Sequence, residues 1–296
     1  MLYNNLSSYL KGKYGQRLKK ICIDGHFTCP NRDGRCGVGG CIFCGERGAG
    51  EHIKERITIR EQVEAALNNA PDSHFIAYFQ NFTNTYADIE TLKARYDDAL
   101  FDERIKILAI GTRPDCISEE VAELIASYKD RRDVWVELGL QTSSDATAEL
   151  INRGYKSEVF TEAVRILNKY EIPVVAHIMI GLPGESDSDI HRTVDFLSTH
   201  KLFGLKIHSV YVMKGTRLAR LFDEGKYTPV TLDDYVRLAT YVITHVSPEI
   251  ILHRITGDCP RDMLVAPLWN ENKNTVISAI QTKLKQGGLY QGIYYK

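Results

Sequence analysis

Beyond residue 50 short apolar runs alternate with amphipathic stretches, and that alternation constrains the fold more than anything else in the chain. HFIAYFQNF (74–82), IKILAIGTR (105–113), DVWVELGLQ (133–141), PVVAHIMIGLPGE (173–185) and LKIHSVYVMKGT (205–216) read as strands; KKICID (19–24) precedes them as a first. Between and after them, 57–70, 89–100, 118–129, 156–170, 188–200 and 231–246 carry apolar residues at helical spacing. The stretch from 118 opens on Ser118 and glutamates as a capping-box start. Strand and helix in strict succession mean parallel strands joined by crossover helices. Six such units fall short of the eight of a closed barrel and predict an α/β fold, a partial, open (β/α)6 barrel of TIM-like type. The expected organisation is a basic extension at 1–18, the barrel over 19–250, and an extension at 251–296 packed on the barrel. The last segment holds strand-like pieces at 249–255 and 288–295. Reactive groups in such folds gather at the carboxyl ends of the strands.

Charged residues make up 25% of the 296 positions and the formal net charge is −1, so the chain is no polycation. The charge is unevenly spread: residues 1–20 carry Lys11, Lys13, Arg17, Lys19 and Lys20 and no acid. The last stretch holds Arg254, Arg261, Lys273, Lys283, Lys285 and Lys296 against three acids. Such ends are either solvated surface or a phosphate-contacting face. No apolar run reaches the roughly 18 residues of a membrane span, and the first residues lack the apolar core of a secretory signal. A cytoplasmic home with no membrane partner is the expectation.

Five of the seven cysteines lie between positions 22 and 44, in ICIDGHFTCPNRDGRCGVGGCIFCGERGAG (21–50), a glycine-rich loop that follows the first strand. In a reducing compartment such a group binds metal rather than forming disulfides. Three schemes are open. Cys29, Cys41 and Cys44 could hold three irons of a [4Fe-4S] cluster with Cys36 a bystander. Alternatively, all four could close around zinc or around an electron-transfer cluster.

The spacing C-x11-C-x2-C, with Phe43 just before the last cysteine, resembles the radical S-adenosylmethionine (SAM) superfamily. The words IDGHFTCPNRDG, GGCIFC, GTRPDC, ELGLQT, NRGY, IGLPGE, KGT and TGDCPRDMLVAPLW resemble, in that order, the YhcC/YtqA-like radical SAM proteins, relatives of the Elongator catalytic subunit's radical SAM domain. The resemblance runs from about residue 3 to the end. It implies a [4Fe-4S] cluster on Cys29, Cys41 and Cys44 with one iron left open for SAM, and Cys36 outside the ligand set. The cluster's electron would split SAM, and the 5′-deoxyadenosyl radical would take a hydrogen atom from substrate. A reductant such as flavodoxin or ferredoxin is implied as a partner.

The resemblance also marks SAM-holding positions. Gln80, Thr83 and Asn84 follow the second strand where the family keeps a motif near the SAM amino group. Gln141 and Arg153 match positions that touch SAM, and Gly181 and Glu185 match the glycine-rich adenine motif. Period two turns Glu137, Gly139 and Gln141 inward, and His177 points inward as a SAM or substrate contact. Arg113, His208 and Lys214 are further candidates for substrate, while Gly111 stands where Elongator relatives carry an acid. Cys116 reads as a buried small residue, and Tyr3, Tyr9 and Tyr14 read as packing residues.

For substrate, the resemblance points to tRNA. The Elongator relative acts on wobble uridine, and the YtqA-like branch is associated with converting carboxymethylaminomethyl-uridine to aminomethyl-uridine there. No acetyltransferase domain is legible, so acetyl-CoA is not expected. The competing readings are a radical SAM enzyme on a small molecule or protein, and a non-catalytic Fe–S or zinc module.

Overall fold

A computed structural model describes residues 2–48 and 57–296; the last two residues of the glycine-rich segment, 49 and 50, lie outside them. Helix α1 (Leu6–Tyr14) leads into β1 (Leu18–Ile23), and the cysteine loop follows. Then come α2 (Ile59–Asn68), β2 (His74–Phe79), α3 (Ile89–Ala99), β3 (Ile105–Thr112), α4 (Glu119–Ala126) and β4 (Asp133–Gln141). Two helices, α5 (Asp145–Leu150) and α6 (Ser157–Lys169), precede β5 (Val174–Ile180), and α7 (Asp187–Ser198) leads to β6 (Gly204–Ser209). The chain closes with β7 (Val212–Met213), α8 (Arg217–Asp223), α9 (Leu232–His245), β8 (Ile251–Arg254), β9 (Leu264–Ala266) and α10 (Lys273–Gln286).

All six expected strands form, each parallel to its neighbour, in the order β1-β2-β3-β4-β5-β6-β8. The seventh is the piece at 249–255, which pairs with β6 and gives the curled sheet its second edge. The piece at 288–295 makes turns, not a strand: Gly288 and Gly292 sit at positive φ, and Gln291 is tied to the Leu2 carbonyl at 2.9 Å. Helix α10, unforeseen from sequence, buries Val276, Ile280 and Leu284.

Local chemistry explains the helix starts. Thr58 with Glu61 and Ser186 with Asp189 form reciprocal capping boxes. At Ser118 the hydroxyl accepts from Val121 N at 3.2 Å, but Val121 holds the position where the box needs an acid, so that cap is one-sided.

The apolar face of each outer helix packs on the convex side of the sheet, where Leu92, Ile125, Phe160, Leu167 and Val242 are fully buried. Each such side chain contributes about 1.5–3 kcal/mol. On the concave side the amino-terminal layer is also apolar: Ile76, Ile107, Trp135 and Val175 meet Leu10 of α1, which plugs that end. Tyr9 packs edge-on against Phe203, Tyr14 donates to Asp133, and Tyr3 accepts from Gln281 at 3.1 Å, so all three tyrosines pack. The interior turns polar only above this layer, toward the carboxyl ends.

Candidate active site

The polar upper part of the barrel opens into a cavity of about 300 Å³. Cys29, Cys41 and Cys44 line one wall and Gln80, Thr83, Gln141, Arg153 and His177 line the others. Phe43 also lines it and packs against the apolar group of Ile42, Met179, Leu182 and Val210 at the rim.

The loop carrying the cysteines is held from three sides. Buried Asn31 donates to the Asn152 carbonyl at 2.5 Å and toward Cys41 Sγ at 3.8 Å. Asn152 donates back to the Gly40 carbonyl at 2.8 Å, and the Ile42 carbonyl accepts from Leu218 N at 2.8 Å. Gly40 has φ +72°, and a Cβ there would stand 2.9 Å from Arg32 Nε. Only glycine suits that turn. A hydrogen bond from the Cys44 thiol brings Cys41 down to about 7 against the opposing effect of burial, with Arg113 and Asn31 assisting. The same bond pushes Cys44 well up. Cys41 is thus the readier thiolate, the form that binds metal.

Cys36 is exposed and absent from the cavity wall; Arg113 Nη2 donates to its sulfur at 3.5 Å. Cys116 is half-buried. Among the described residues no three His, Cys, Asp or Glu side chains are gathered as they would be around one metal ion. A four-iron cluster instead gives each cysteine its own iron, and three thiols spaced along a cavity wall fit that demand. A demand for a polar ligand shows in Thr83 Oγ1, which lines the cavity and is buried without a partner; Asn84 Oδ1, Asn31 Oδ1 and both side-chain atoms of Asn81, outside the lining, are orphaned as well. Each costs about 1–3 kcal/mol unless something binds it.

Other expected residues serve the walls. The Arg153 guanidinium donates to the carbonyls of Leu140, Thr142 and Tyr155, so its hydrogen bonds brace the β4 end. Asn84 donates to the Gly111 carbonyl at 2.7 Å behind the cavity. Gly181, at φ +97°, accepts from the Tyr227 hydroxyl at 2.7 Å. Glu185 lies outside the lining with its carboxyl buried; burial pushes it up to about 7, moderated by Thr142 and Thr147, neither in hydrogen-bond geometry. Exposed Lys214 donates to the Asp262 carbonyl at 2.7 Å and is not in the cavity.

Sequence reading turned Glu137 and His177 inward on the floor but missed Lys206. Fully buried Glu137 accepts from Trp135 Nε1 at 3.0 Å, meets His177 Nε2 at 2.8 Å, and takes a hydrogen bond from Lys206. Burial opposes charge on Glu137, but Lys206, His177 and His253 outweigh it and hold the carboxyl well below the usual range. Burial lowers Lys206 to about 7 and His177 to about 4, Glu137 opposing both shifts. We read the pair as ionised, because a carboxylate this well supplied with donors keeps its partner's proton in place. Cys22, Tyr78 and Arg254 also line the cavity. The available signal was parity: Lys206 alternates with His208 on β6, and Cys22 with Lys20 on β1.

The chain was compared with known proteins. The family model "Radical SAM superfamily" matches residues 32–197, and the Radical_SAM C-terminal domain matches 203–286. The uncharacterised protein YtqA of Bacillus subtilis is 37% identical over 99% of this chain and 93% of its own length. A tRNA uridine(34) acetyltransferase of Dehalococcoides mccartyi is 31% identical, over 60% of this chain and 38% of that protein. In structure, the archaeal Elp3 of Methanocaldococcus infernus superposes with a TM-score of 0.70 at 19% identity, covering 93% of this chain and 64% of that one, which shows the shared fold. With a barrel open at one side, three loop cysteines on its cavity and a family match over more than half its length, the chain belongs to the radical SAM superfamily, in its YhcC/YtqA-like group.

Proposed function

We infer that the protein is a radical SAM enzyme that holds a [4Fe-4S] cluster on Cys29, Cys41 and Cys44 and modifies the wobble uridine of tRNA, turning carboxymethylaminomethyl-uridine into aminomethyl-uridine. One observation carries this reading: a single cavity joins the three thiols to the inward polar groups of the barrel. Similarity to a tRNA uridine(34) acetyltransferase supports the choice of substrate.

When bound, the cluster supplies the electron that splits SAM, drawn from a reductant such as flavodoxin or ferredoxin. The chain's own residues do the rest. Asn31 orients the Cys41 sulfur, while the Arg113 guanidinium favours negative charge on Cys41 and that of Arg32 favours it on Cys44. Gln80 and Thr83 at the β2 end and Gln141 at the β4 end supply the polar contacts for SAM. Phe43, Phe82, Tyr155 and Met179 make apolar walls that keep water from a reactive centre. Cys36, turned toward Arg113 and Asp115, stays outside the ligand set. Among the described residues no helix is long and apolar enough to cross a membrane; the cytoplasm, where charged tRNA is found, is the proposed location.

The test is a nucleoside profile. Cluster-loaded protein, SAM and dithionite are incubated with tRNA bearing carboxymethylaminomethyl-uridine, which is then digested for mass spectrometry. The expected result is loss of that nucleoside and gain of aminomethyl-uridine, both absent with Cys41→Ala. SAM cleavage with unchanged tRNA would instead turn the reading toward a small-molecule or protein substrate.

A further inference from the structure

The sheet does not close: β1 and β8 are its two edges and do not pair as strands. At the amino end the gap is strapped, because Asn5 bridges Leu252 and the Leu252 N–H donates to the Asn4 carbonyl at 2.8 Å. Above the strap the seam is flanked by Lys20 and Cys22 of β1 on one side and Arg254 of β8 on the other. Lys206 of β6 stands in register with Arg254. Lys20 Nζ and Lys206 Nζ lie over the same Tyr78 ring, 4.5 and 4.4 Å from its centroid. The seam therefore gathers three cations at mid-depth in the barrel.

Lys206 and Arg254 each have one negative partner, Glu137 and Asp258, which is shared with other donors. Glu137 takes its hydrogen bonds from Lys206, His177 and Trp135. Asp258 is 2.5 Å from Lys273 and only 3.5 Å from Arg254. No carboxylate among the described residues lies in ion-pair range of Lys20. Lys20, Lys206 and Arg254 repel one another, a cost that an incoming anion removes. His208, on the same wall, has a buried Nε2 with no partner, which is a further donor in its Nε2–H tautomer.

We propose that the seam between β1 and β8 is an anion subsite in which Lys20 and Arg254, backed by Lys206 and His208, grip a carboxylate carried by the substrate. The assignment of that carboxylate to the modified uridine rests on the function inferred above; the anion subsite itself rests on the charges alone. A carboxylate is favoured over a backbone phosphate by depth. Lys206 is 2% exposed deep in the cavity, and a group that reaches it must hang from a substituent thin enough to enter between the cavity walls.

Cys22 supplies a built-in reporter. The residue is exposed in the seam; burial of its sulfur pushes the thiol up, while Lys20, Arg254 and Lys206 pull it down and Asp258 opposes them. Iodoacetate and iodoacetamide alkylate a thiolate by the same displacement of iodide, but only the first is an anion. The experiment uses the full chain, cluster-loaded and anaerobic, at low salt. Alkylation of Cys22 by each reagent is followed by peptide mass spectrometry, and the rate ratio is divided by that of a neutral cysteine amide. The expected normalised preference for iodoacetate is about tenfold, as for a cationic cleft focusing anions. It falls toward one in Lys20→Met and Arg254→Met. A ratio of one in the unaltered protein, or a preference untouched by both substitutions, overturns the subsite.

A second arm identifies the anion. Anticodon stem-loops carrying carboxymethylaminomethyl-uridine, or its uncharged amide, are compared as substrates of the unaltered protein and Lys20→Met. The carboxylate assignment expects KM to rise about tenfold for the acid, about 1.4 kcal/mol, and little for the amide. An equal rise for both assigns the grip to phosphate and overturns the carboxylate. If neither stem-loop is consumed, the tRNA reading and its uridine carboxylate fail together, while the alkylation ratio still decides whether the seam holds an anion.

Discussion

Asn31 and Glu185 stand at opposite ends of what single residues reveal. Cys29, Cys41 and Cys44 are legible because a spacing of thiols in a glycine-rich loop has few uses. Asn31, which turns its amide to the Cys41 sulfur, carries no such mark: an asparagine in a loop is ordinary, and its role exists only once residue 152 folds against it. Glu185, expected at the SAM adenine, is not among the cavity-lining residues, and its carboxyl is buried without a hydrogen-bond partner. That has a measurable consequence. Its folded pKa of about 7 lies above the ordinary 4.5, so the folded state holds the proton more tightly. Stability is then lost as pH rises from about 4.5 through 7. Glu185→Gln should gain roughly 1–3 kcal/mol at pH 8 and little at pH 5, read from denaturant melts at both. An equal effect at the two pH values would show that the carboxyl is not buried in this way.

At the scale of elements, every strand of the βα alternation was legible because hydrophobic period and length agree. The seventh strand was legible only as a strand-like piece: four residues long, its place beside β6 depends on α9 carrying the chain back across the sheet. Helix α10 hides because its apolar face is narrow, with three buried residues among lysines, glutamines and threonines. The pair Glu137 on β4 and Lys206 on β6 was half read, the glutamate by parity and the lysine missed although it shares its face of β6 with His208. The two span β5, so they tie together the centre of the barrel. Lys206→Met leaves a buried carboxylate without its counter-charge and should cost about 3–5 kcal/mol in urea unfolding. The double variant Lys206→Met with Glu137→Gln should recover much of that. Equal stability of the single variant and the parent would mean that the charges are not paired as described.

For the whole molecule, the two basic ends meet. Residues 2–4 are bonded to Gln291, and α1 with the final turns surrounds the amino end of the barrel. The cysteine loop, the orphaned polar atoms and the cavity mouth sit at the carboxyl end, as the α/β rule requires. Of the basic residues at the two ends, Arg254 lines the cavity, Lys273 is paired with the cavity-lining Asp258 and Lys20 flanks the seam, so these are the ones placed to meet an anionic substrate. Sequence alone marked both ends as basic without showing which end of the barrel they share. That information is tertiary: it depends on Leu10 plugging the floor and on a strap between β1 and β8.

The central claim is that Cys29, Cys41 and Cys44 support SAM cleavage at this cavity. The most direct measurement is 5′-deoxyadenosine release by the anaerobically reconstituted protein with SAM and dithionite, alongside Cys41→Ala and Cys36→Ala. Release by the unaltered protein and by Cys36→Ala, with none above background from Cys41→Ala, is the predicted result. No release from the fully loaded protein, or equal release from Cys41→Ala, would contradict it.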